Sequence, residues 1–359
     1  METLLDPKTD SAILPGAVDC DVHPAQPSMK ALMPYLDDYL AEQVVDRGIE
    51  ALHSVHYPPN APITCRDDWR ADGGGTLAGM QKHLFDGMGV GTAILNPLLG
   101  LQILMEQDMA ASFARGLNDY TRAEWLDRDP RLRASIVVPQ QDPEQAAEEI
   151  ERLAGERRFV QVLMLVMGEM PLGKRYHWPI YKAAEKHGLP VAIHAGSMYR
   201  HPTTGVGWSS FHAQDYVANG VNFQTTLTSL ITEGVFSVHP NLKVVMSESG
   251  VTWLPAYLWR LDKYWQGLRM LIPWVDRLPR EIVASNIRFT LQPVDAPPDG
   301  ETLARVMEHL GSEELLLFST DYPHWQFDGA GAVPDGLSES QIRKMMIDNP
   351  RATYARLEG

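Results

Sequence analysis

Acidic and histidine side chains recur at the ends of short apolar runs in this chain of 359 residues. Asp21 and His23 end the first run two positions apart, so on an extended strand both side chains point to the same side. His194 and Asp321 end two later runs, and Glu248 follows another. Two imidazoles and two carboxylates suit zinc, manganese or iron(II). The pattern predicts one divalent cation bound by Asp21, His23, His194 and Asp321.

Each of these residues, taken alone, also has an ordinary structural explanation. A histidine after an apolar strand is more often a hydrogen-bonded core residue than a ligand, and Asp321 after Ser-Thr suits a turn. Glu248 is a structural carboxylate, a metal ligand, or an acid–base group whose pKa is raised by burial. The metal hypothesis therefore depends on a fold that brings the four side chains together.

Eight apolar runs predict buried parallel strands, because they are apolar at successive rather than alternate positions. They cover residues 17–22, 92–95, 134–138, 160–165, 191–194, 243–247, 287–291 and 315–320. Helical patterns separate most of them, and one begins at Asp142-Pro143, an N-cap residue followed by proline in the first turn. Strands and helices in this order predict a single-domain (β/α)8 TIM barrel over residues 1–359.

The alternative architecture is an open, doubly wound sheet. No Gly-x-Gly-x-x-Gly follows the first predicted strand, which disfavours the dinucleotide-binding form of that alternative. Two connections are long, from 24 to 91 and from 195 to 242, and both follow strands at the barrel end where active sites form. We expect these long loops, with the ends of strands 7 and 8, to supply the substrate-binding residues. The candidates are Arg66, His201, Trp208, His212, Gln292 and His324.

Composition limits the class of protein. The formal net charge is −15 and no basic stripe is present, which argues against a nucleic-acid partner. The two cysteines, Cys20 and Cys65, form neither a disulfide framework nor a Cys-x-x-Cys metal motif. There is no basic-then-apolar leader and no apolar run near the roughly 18 residues of a membrane helix. We therefore expect a cytoplasmic protein that acts on a small molecule, with no membrane partner.

These motifs together resemble the amidohydrolase-related family that includes aminocarboxymuconate-semialdehyde decarboxylase. The resemblance includes the Asp-x-His at 21–23, VAIHAG at 191–196, FSTDYPH at 318–324 and DNPRATY at 348–354. It implies a metal-dependent barrel in which these ligand positions hold one divalent ion, zinc first, with manganese or iron(II) as alternatives. It also implies a homodimer.

The chain departs from that family at two positions. Asp21 stands where the family has histidine or glutamate, and Glu248 stands where the decarboxylase has a catalytic histidine. Arg66 matches an arginine that holds a substrate carboxylate, with a surface pair to Asp67 or Asp68 as the alternative.

The resemblance implies non-oxidative decarboxylation of a small carboxylated substrate, aromatic or unsaturated. We expect Asp321 and Glu248 to be the catalytic residues, with Glu248 as an acid–base group in place of the family's histidine. Metal-dependent hydrolysis of an ester, lactone or amide bond is the first alternative, because it would use the same ligands. A ligand-binding barrel without catalysis is the second.

Overall fold

A computed structural model describes residues 13–52, 65–196, 202–297, 299–327 and 329–357. Within them eight parallel strands form one sheet in chain order. The strands are β1 Val18–Val22, β2 Thr92–Leu95, β3 Leu132–Val137, β4 Phe159–Leu165, β5 Val191–His194, β6 Val244–Ser247, β7 Ile287–Thr290 and β8 Leu316–Leu317. The eight predicted strands are thus confirmed: β2 and β5 have the predicted bounds, and no other strand end differs by more than three residues.

The first strand and the segment after the last strand close the sheet into a cylinder. The Cys20 N–H donates to Phe318 O at 2.9 Å, and the His23 N–H donates to Tyr322 O at 2.6 Å. A parallel bridge also pairs Val22 with Tyr322. These hydrogen bonds confirm the predicted (β/α)8 barrel and exclude an open sheet, whose edge strands would remain unpaired.

β8 is shorter than the apolar run at 315–320 predicts. Its ladder to β7 covers only Leu316 and Leu317. The next amide, that of Phe318, donates to Met345 O at 3.0 Å, while the Phe318 carbonyl accepts from Cys20. The chain beyond Leu317 is therefore held by a later helical segment and by β1 rather than by β7.

Helices fill the connections between the strands. The α-helices are α1 Met29–Leu32, α2 Asp38–Asp46, α3 Asp67–Ala71, α4 Leu77–Met80, α5 Gln107–Thr121, α6 Pro143–Leu153, α7 Trp178–Lys186, α8 His212–Thr232, α9 Val235–Val238, α10 Leu254–Leu268, α11 Pro279–Asn286, α12 Gly300–Leu310, α13 Glu339–Arg343 and α14 Asn349–Thr353. At α6 the Asp142 side chain accepts from the Gln145 N–H at 3.2 Å, which confirms the predicted cap.

The two long connections have the predicted positions, but helices occupy much of each. The first contains α1 to α4, and the second contains α8, which is 21 residues long. Phe223, Leu227 and Leu230 of α8 are buried in the main hydrophobic core. In the part of the chain that the structure describes, no helix combines the length and apolar character needed to cross a membrane.

Candidate metal centre

Four predicted side chains meet where β1, β5 and β8 end. Asp21 Oδ1 lies 3.3 Å from His23 Nε2 and 3.4 Å from His194 Nε2. Asp321 Oδ1 lies 3.0 Å from His23 Nε2, and the two Nε2 atoms are 3.3 Å apart. All four residues are buried. The barrel therefore brings together, at one rim, the four residues that their spacing in the sequence singled out.

Main-chain carbonyl groups orient both imidazole rings. His23 Nδ1 lies 2.9 Å from Asn96 O, and His194 Nδ1 lies 2.6 Å from Ala195 O. A carbonyl oxygen only accepts, so each Nδ1 carries a hydrogen and each Nε2 is directed into the cluster. When both rings are neutral, the two Nε2 lone pairs can bind a shared cation.

Each carboxylate also keeps one buried oxygen that no protein group satisfies. Among the described residues, Asp21 Oδ2 and Asp321 Oδ2 are buried side-chain atoms without a hydrogen-bond partner. A buried carboxylate oxygen costs free energy unless it accepts hydrogen bonds or binds a cation. Asp21, His23 and His194 offer ligand atoms within 4.8 Å of one another, and so do His23, Asp321 and His324. These overlapping groups supply the mixed oxygen and nitrogen donors that zinc, manganese and iron(II) accept. The residues therefore fit a divalent ion.

Burial and neighbouring charges have opposing effects on the pKa values of these residues. Burial dominates at His23 and lowers its pKa to about 3. Burial also opposes the charged form of His194, but the charges of Asp21 and Glu248 outweigh it and raise the pKa to about 9. At Asp21 burial favours the neutral acid, yet the two histidines and Asn96 outweigh it and lower the pKa to about 2. The Asp21 side of the site therefore holds a stable negative charge.

Glu248 and His324 stand beside this cluster. Glu248 Oε1 lies 3.7 Å from His324 Nδ1, and Glu248 Oε2 lies 3.5 Å from His194 Nδ1. His324 Nδ1 is also 2.8 Å from Asp321 Oδ1, and its ring stacks on His23 with centroids 4.4 Å apart. Burial, reinforced by the charge of Asp321, raises the pKa of Glu248. A buried carboxyl group whose protonated form is favoured by burial thus adjoins an imidazole.

Glu248 and Asp321 share a left-handed backbone, with φ of 58° and 56°. For a residue with a Cβ this conformation costs roughly 1–2 kcal/mol. Nearby hydrogen bonds hold both turns: the Glu248 N–H donates to Thr290 Oγ1 at 3.1 Å, and Asp19 accepts from Thr320 N and Oγ1 at 3.0 and 2.6 Å. Backbone outliers at two candidate catalytic residues are typical of functional sites.

Arg66 is buried, and an acidic neighbour accepts hydrogen bonds from two of its three guanidinium nitrogens. Its Nε and Nη2 donate to Asp68 at 2.9 and 2.6 Å, and the group lies over the Trp69 ring at 4.2 Å. Its Nη1 is buried and has no hydrogen-bond partner among the residues that the structure describes. A surface pair with Asp67 or Asp68 was the predicted alternative to substrate binding by Arg66. The structure has the pair with Asp68, but Arg66 is buried. Only Nη1 is free to contact a further group.

The other predicted substrate-binding residues have different environments. Gln292, just beyond β7, is fully buried, and neither polar atom of its side-chain amide has a hydrogen-bond partner within the described part of the chain. Trp208 is 65% exposed. His212 begins α8, and His201 lies outside the described residues. The structure therefore buries Gln292 and leaves Trp208 at the surface.

Three polar residues that the sequence analysis did not select contribute to the site. Asn96 follows β2, Ser135 lies in β3 and Gln161 lies in β4, and all three are fully buried. Asn96 donates to Asp21 Oδ1 at 2.7 Å. The signal for them was present, because each is a polar residue within or directly after an apolar run that predicts a fully buried strand.

A closed (β/α)8 barrel with histidines and aspartates converging at the carboxyl ends of its strands defines a metal-dependent class of barrel protein. Residues 18–356 match the Amidohydrolase family model, and the chain belongs to that family. This result confirms the family that the motifs indicated.

Curated relatives and solved structures extend over most of the chain. γ-Resorcylate decarboxylase of Rhodococcus jostii is 28% identical over 301 residues, covering 76% of this chain and 85% of the relative. The same-named protein of a Rhizobium species is 27% identical over 293 residues, covering 76% and 84%. Their extent shows that the similarity is not confined to the short motifs.

Two solved structures share the fold. A 2,6-dihydroxybenzoate decarboxylase complexed with 2,6-dihydroxybenzoate superposes with a TM-score of 0.71 at 20% identity, covering 96% of this chain and all of that one. A dihydroxybenzoic acid decarboxylase from Polaromonas sp. JS666, with bound manganese and 2-nitroresorcinol, gives 0.65 at 21% identity, covering 95% and 97%. At these identities the superpositions establish a common fold.

Proposed function

We propose that this chain is a metal-dependent, non-oxidative decarboxylase of a hydroxylated aromatic carboxylate. The convergence of Asp21, His23, His194 and Asp321 at one rim carries the proposal. The names of the relatives, γ-resorcylate and 2,6-dihydroxybenzoate decarboxylase, support the reaction and the substrate class. The reaction replaces the carboxylate on a ring carbon by a proton and releases carbon dioxide, so it requires no electron acceptor.

In this proposal the four convergent residues hold one divalent ion. Asp21 and Asp321 would each use the Oδ2 atom that lacks a protein partner, and His23 and His194 would use Nε2. The bound ion would supply Lewis-acid stabilisation of negative charge on substrate oxygens. Manganese becomes the first choice of ion, because a solved structure with this fold contains it, and zinc and iron(II) remain the alternatives.

Glu248 and His324 would handle the proton. Burial favours the protonated carboxyl group of Glu248, and His324 lies 3.7 Å away. Glu248 would deliver its proton to the ring carbon as the bond to the carboxylate breaks, and His324 would carry the replacement proton. Asp321, 2.8 Å from His324 Nδ1, holds that ring in place.

Arg66 and Gln292 would contribute polar contacts to the substrate. Arg66 has one unpartnered nitrogen, Nη1, and can therefore donate a single charged hydrogen bond rather than a bidentate pair. Gln292 offers an amide donor and acceptor that no described protein group uses. Both groups suit a ligand with carboxylate and hydroxyl oxygens, and both would be left unsatisfied by a purely apolar molecule.

Two measurements test this function. Elemental analysis of the purified protein should find close to one divalent ion per chain. Incubation of the metal-loaded protein with 2,6-dihydroxybenzoate and related hydroxybenzoates should release carbon dioxide and the decarboxylated phenol in equal amounts. Cleavage of esters, lactones or amides without carbon dioxide would replace this proposal with hydrolysis. Absence of both bound metal and turnover, unchanged by adding metal back, would favour a non-catalytic barrel.

We also retain the homodimer implied by the family resemblance. The described surface has exposed large apolar side chains, among them Trp208, Phe211, Met270 and Leu271. Such groups are common at subunit contacts. Light scattering during size-exclusion chromatography should give a mass near twice 40.1 kDa, and a mass near 40.1 kDa would refute the dimer.

A further inference from the structure

A chain of buried polar side chains crosses the barrel interior beside Asp21. Asn96 Nδ2 donates to Asp21 Oδ1 at 2.7 Å. Ser135 Oγ donates to Asn96 Oδ1. Gln161 Nε2 donates to the same Asn96 oxygen at 3.1 Å and to Ser135 Oγ at 2.9 Å. This interior polar chain, Asn96–Ser135–Gln161, links the first four strands side by side, and all of its members are fully buried.

Asp21 sets the direction of every hydrogen bond in the interior polar chain. An ionised carboxylate only accepts, so the Asn96 amide must turn Nδ2 towards it and Oδ1 away from it. That oxygen then needs donors, which Ser135 and Gln161 supply. Because the Ser135 hydrogen is directed to Asn96, its oxygen is left to accept from Gln161. A single amide orientation satisfies all of these contacts.

Asn96 acts on both candidate ligands of β1. Its main-chain oxygen accepts from His23 Nδ1 at 2.9 Å, which leaves Nε2 to face the cluster. Its side chain occupies Asp21 Oδ1, while Asp21 Oδ2 stays without a protein partner. A carboxylate held at one oxygen cannot rotate freely, so its second oxygen has a defined position.

We propose that Asn96 is the positioning residue for Asp21, and that Ser135 and Gln161 fix the amide orientation this role needs. The inference rests on the proposed function, because it takes Asp21 as a metal ligand. Hydrogen-bond partners of metal ligands typically contribute about 10–100-fold to metal affinity. Asn96→Ala should therefore weaken Mn²⁺ binding by about 10–100-fold.

A double-mutant cycle separates positioning from general damage to the barrel. Mn²⁺ affinity is measured by calorimetry or electron paramagnetic resonance on the metal-depleted protein, Asn96→Ala, Asp21→Ala and the double variant. If Asn96 acts through Asp21, its replacement should change Mn²⁺ affinity by less than about 2-fold once Asp21 is alanine. Equal losses of affinity in both backgrounds would overturn the proposal.

A second variant keeps the proposal testable if Asn96→Ala does not fold. Gln161→Met removes a donor to Asn96 while preserving side-chain length, and it leaves the Asn96 bond to Asp21 intact. It should weaken Mn²⁺ binding by roughly 3–10-fold, a fraction of the effect of removing Asn96 itself. Leu163→Met is the matched control, because it lies two residues further along β4 and is also fully buried.

The outcomes distinguish this inference from the proposed function. If the unaltered protein does not bind Mn²⁺, zinc or iron(II), the metal site itself fails. If the unaltered protein binds the ion and Gln161→Met binds it as tightly as Leu163→Met does, the orienting role of the interior polar chain is wrong, although the site stands. Thermal unfolding of each metal-free variant, followed by circular dichroism, checks that affinity is compared between folded proteins.

Discussion

The candidate metal centre has two sides that differ in backbone conformation and in the charge they favour. One is formed by β1, and the other by the residues that follow β6 and β8. Asp21 lies within β1, receives a hydrogen bond from Asn96, and keeps a low pKa of about 2. Glu248 and Asp321 follow their strands with left-handed backbone, and burial raises the pKa of each. One side fixes a negative charge, whereas the other favours carboxyl groups that can hold a proton.

This contrast suggests a division of labour within one small cluster. A cation is held best by donors whose positions and charges do not change, whereas a group that transfers protons must be stable in both forms. His194 lies between the two sides, 3.4 Å from Asp21 Oδ1 and 3.5 Å from Glu248 Oε2. Substitutions on the two sides should therefore have different signatures in metal content and turnover.

The largest effect is expected for His194→Ala, which removes the residue between the two sides. Metal affinity should fall by more than about 100-fold, because even indirect partners of ligands contribute 10–100-fold, and turnover should disappear with it. Metal content by mass spectrometry and carbon dioxide release measure both. His239→Ala is a control, since that ring bonds Glu185 at 2.9 Å, outside the cluster. Retention of one tightly bound ion would remove His194 from the ligand set.

Glu248→Gln should separate proton transfer from metal binding. The amide keeps the size of the side chain but cannot supply a proton, so kcat should fall by roughly 10²–10⁴-fold, the usual range for an acid–base group. Metal content should stay near one ion per chain. Unchanged kcat would show that Glu248 takes no part in the reaction, and loss of metal would show that it is a ligand instead.

Arg66→Ala should mainly raise KM, by about 10-fold or more, because a hydrogen bond to a charged group contributes roughly 1.5–3 kcal/mol. Steady-state kinetics with the carboxylate substrate measure it. Arg47→Ala is the matched control, since that arginine forms an exposed pair with Glu106. A fall in kcat at unchanged KM would contradict a binding role for Arg66.

The smallest effect concerns the backbone at Glu248. Glycine adopts a φ of 58° without the Cβ penalty, so Glu248→Gly should be more stable than Glu248→Ala by about 1 kcal/mol. Both variants lack the carboxyl group, so their difference isolates the backbone. Urea unfolding of the metal-free proteins gives the two free energies. Equal stabilities would show that the Cβ strain at this turn does not exceed the extra conformational entropy that glycine loses on folding.

The barrel was predictable because the sequence repeats one pattern, an apolar run followed by a helical segment. Eight apolar runs separated by helical patterns leave few architectures, and most strand ends fell within two residues of the prediction. β8 was overestimated, because an apolar run does not reveal that Phe318 pairs with β1 and with Met345 rather than with β7. The helix α8 was missed within a connection read as a loop, since its buried residues alternate with glycine and polar residues.

The candidate site was predictable only in part. Asp21, His23, His194 and Asp321 come together as their positions at strand ends suggested. Asn96 was not selected, because asparagine after a strand usually indicates a turn and only the fold shows that it contacts Asp21. The pairing of Arg66 with Asp68 was one of two interpretations, and sequence spacing cannot choose between a neighbouring carboxylate and a substrate.

Closure of the barrel brings two of the proposed ligands, His23 and Asp321, together where the first and last strands meet. There the His23 amide bonds the Tyr322 carbonyl next to Asp321. An ion bound by both His23 and Asp321 would cross-link β1 to the segment that follows β8. Deuterium exchange at the His23 amide should therefore slow when metal is added. The exchange rate of that hydrogen reports how often the hydrogen bond between β1 and the segment after β8 opens.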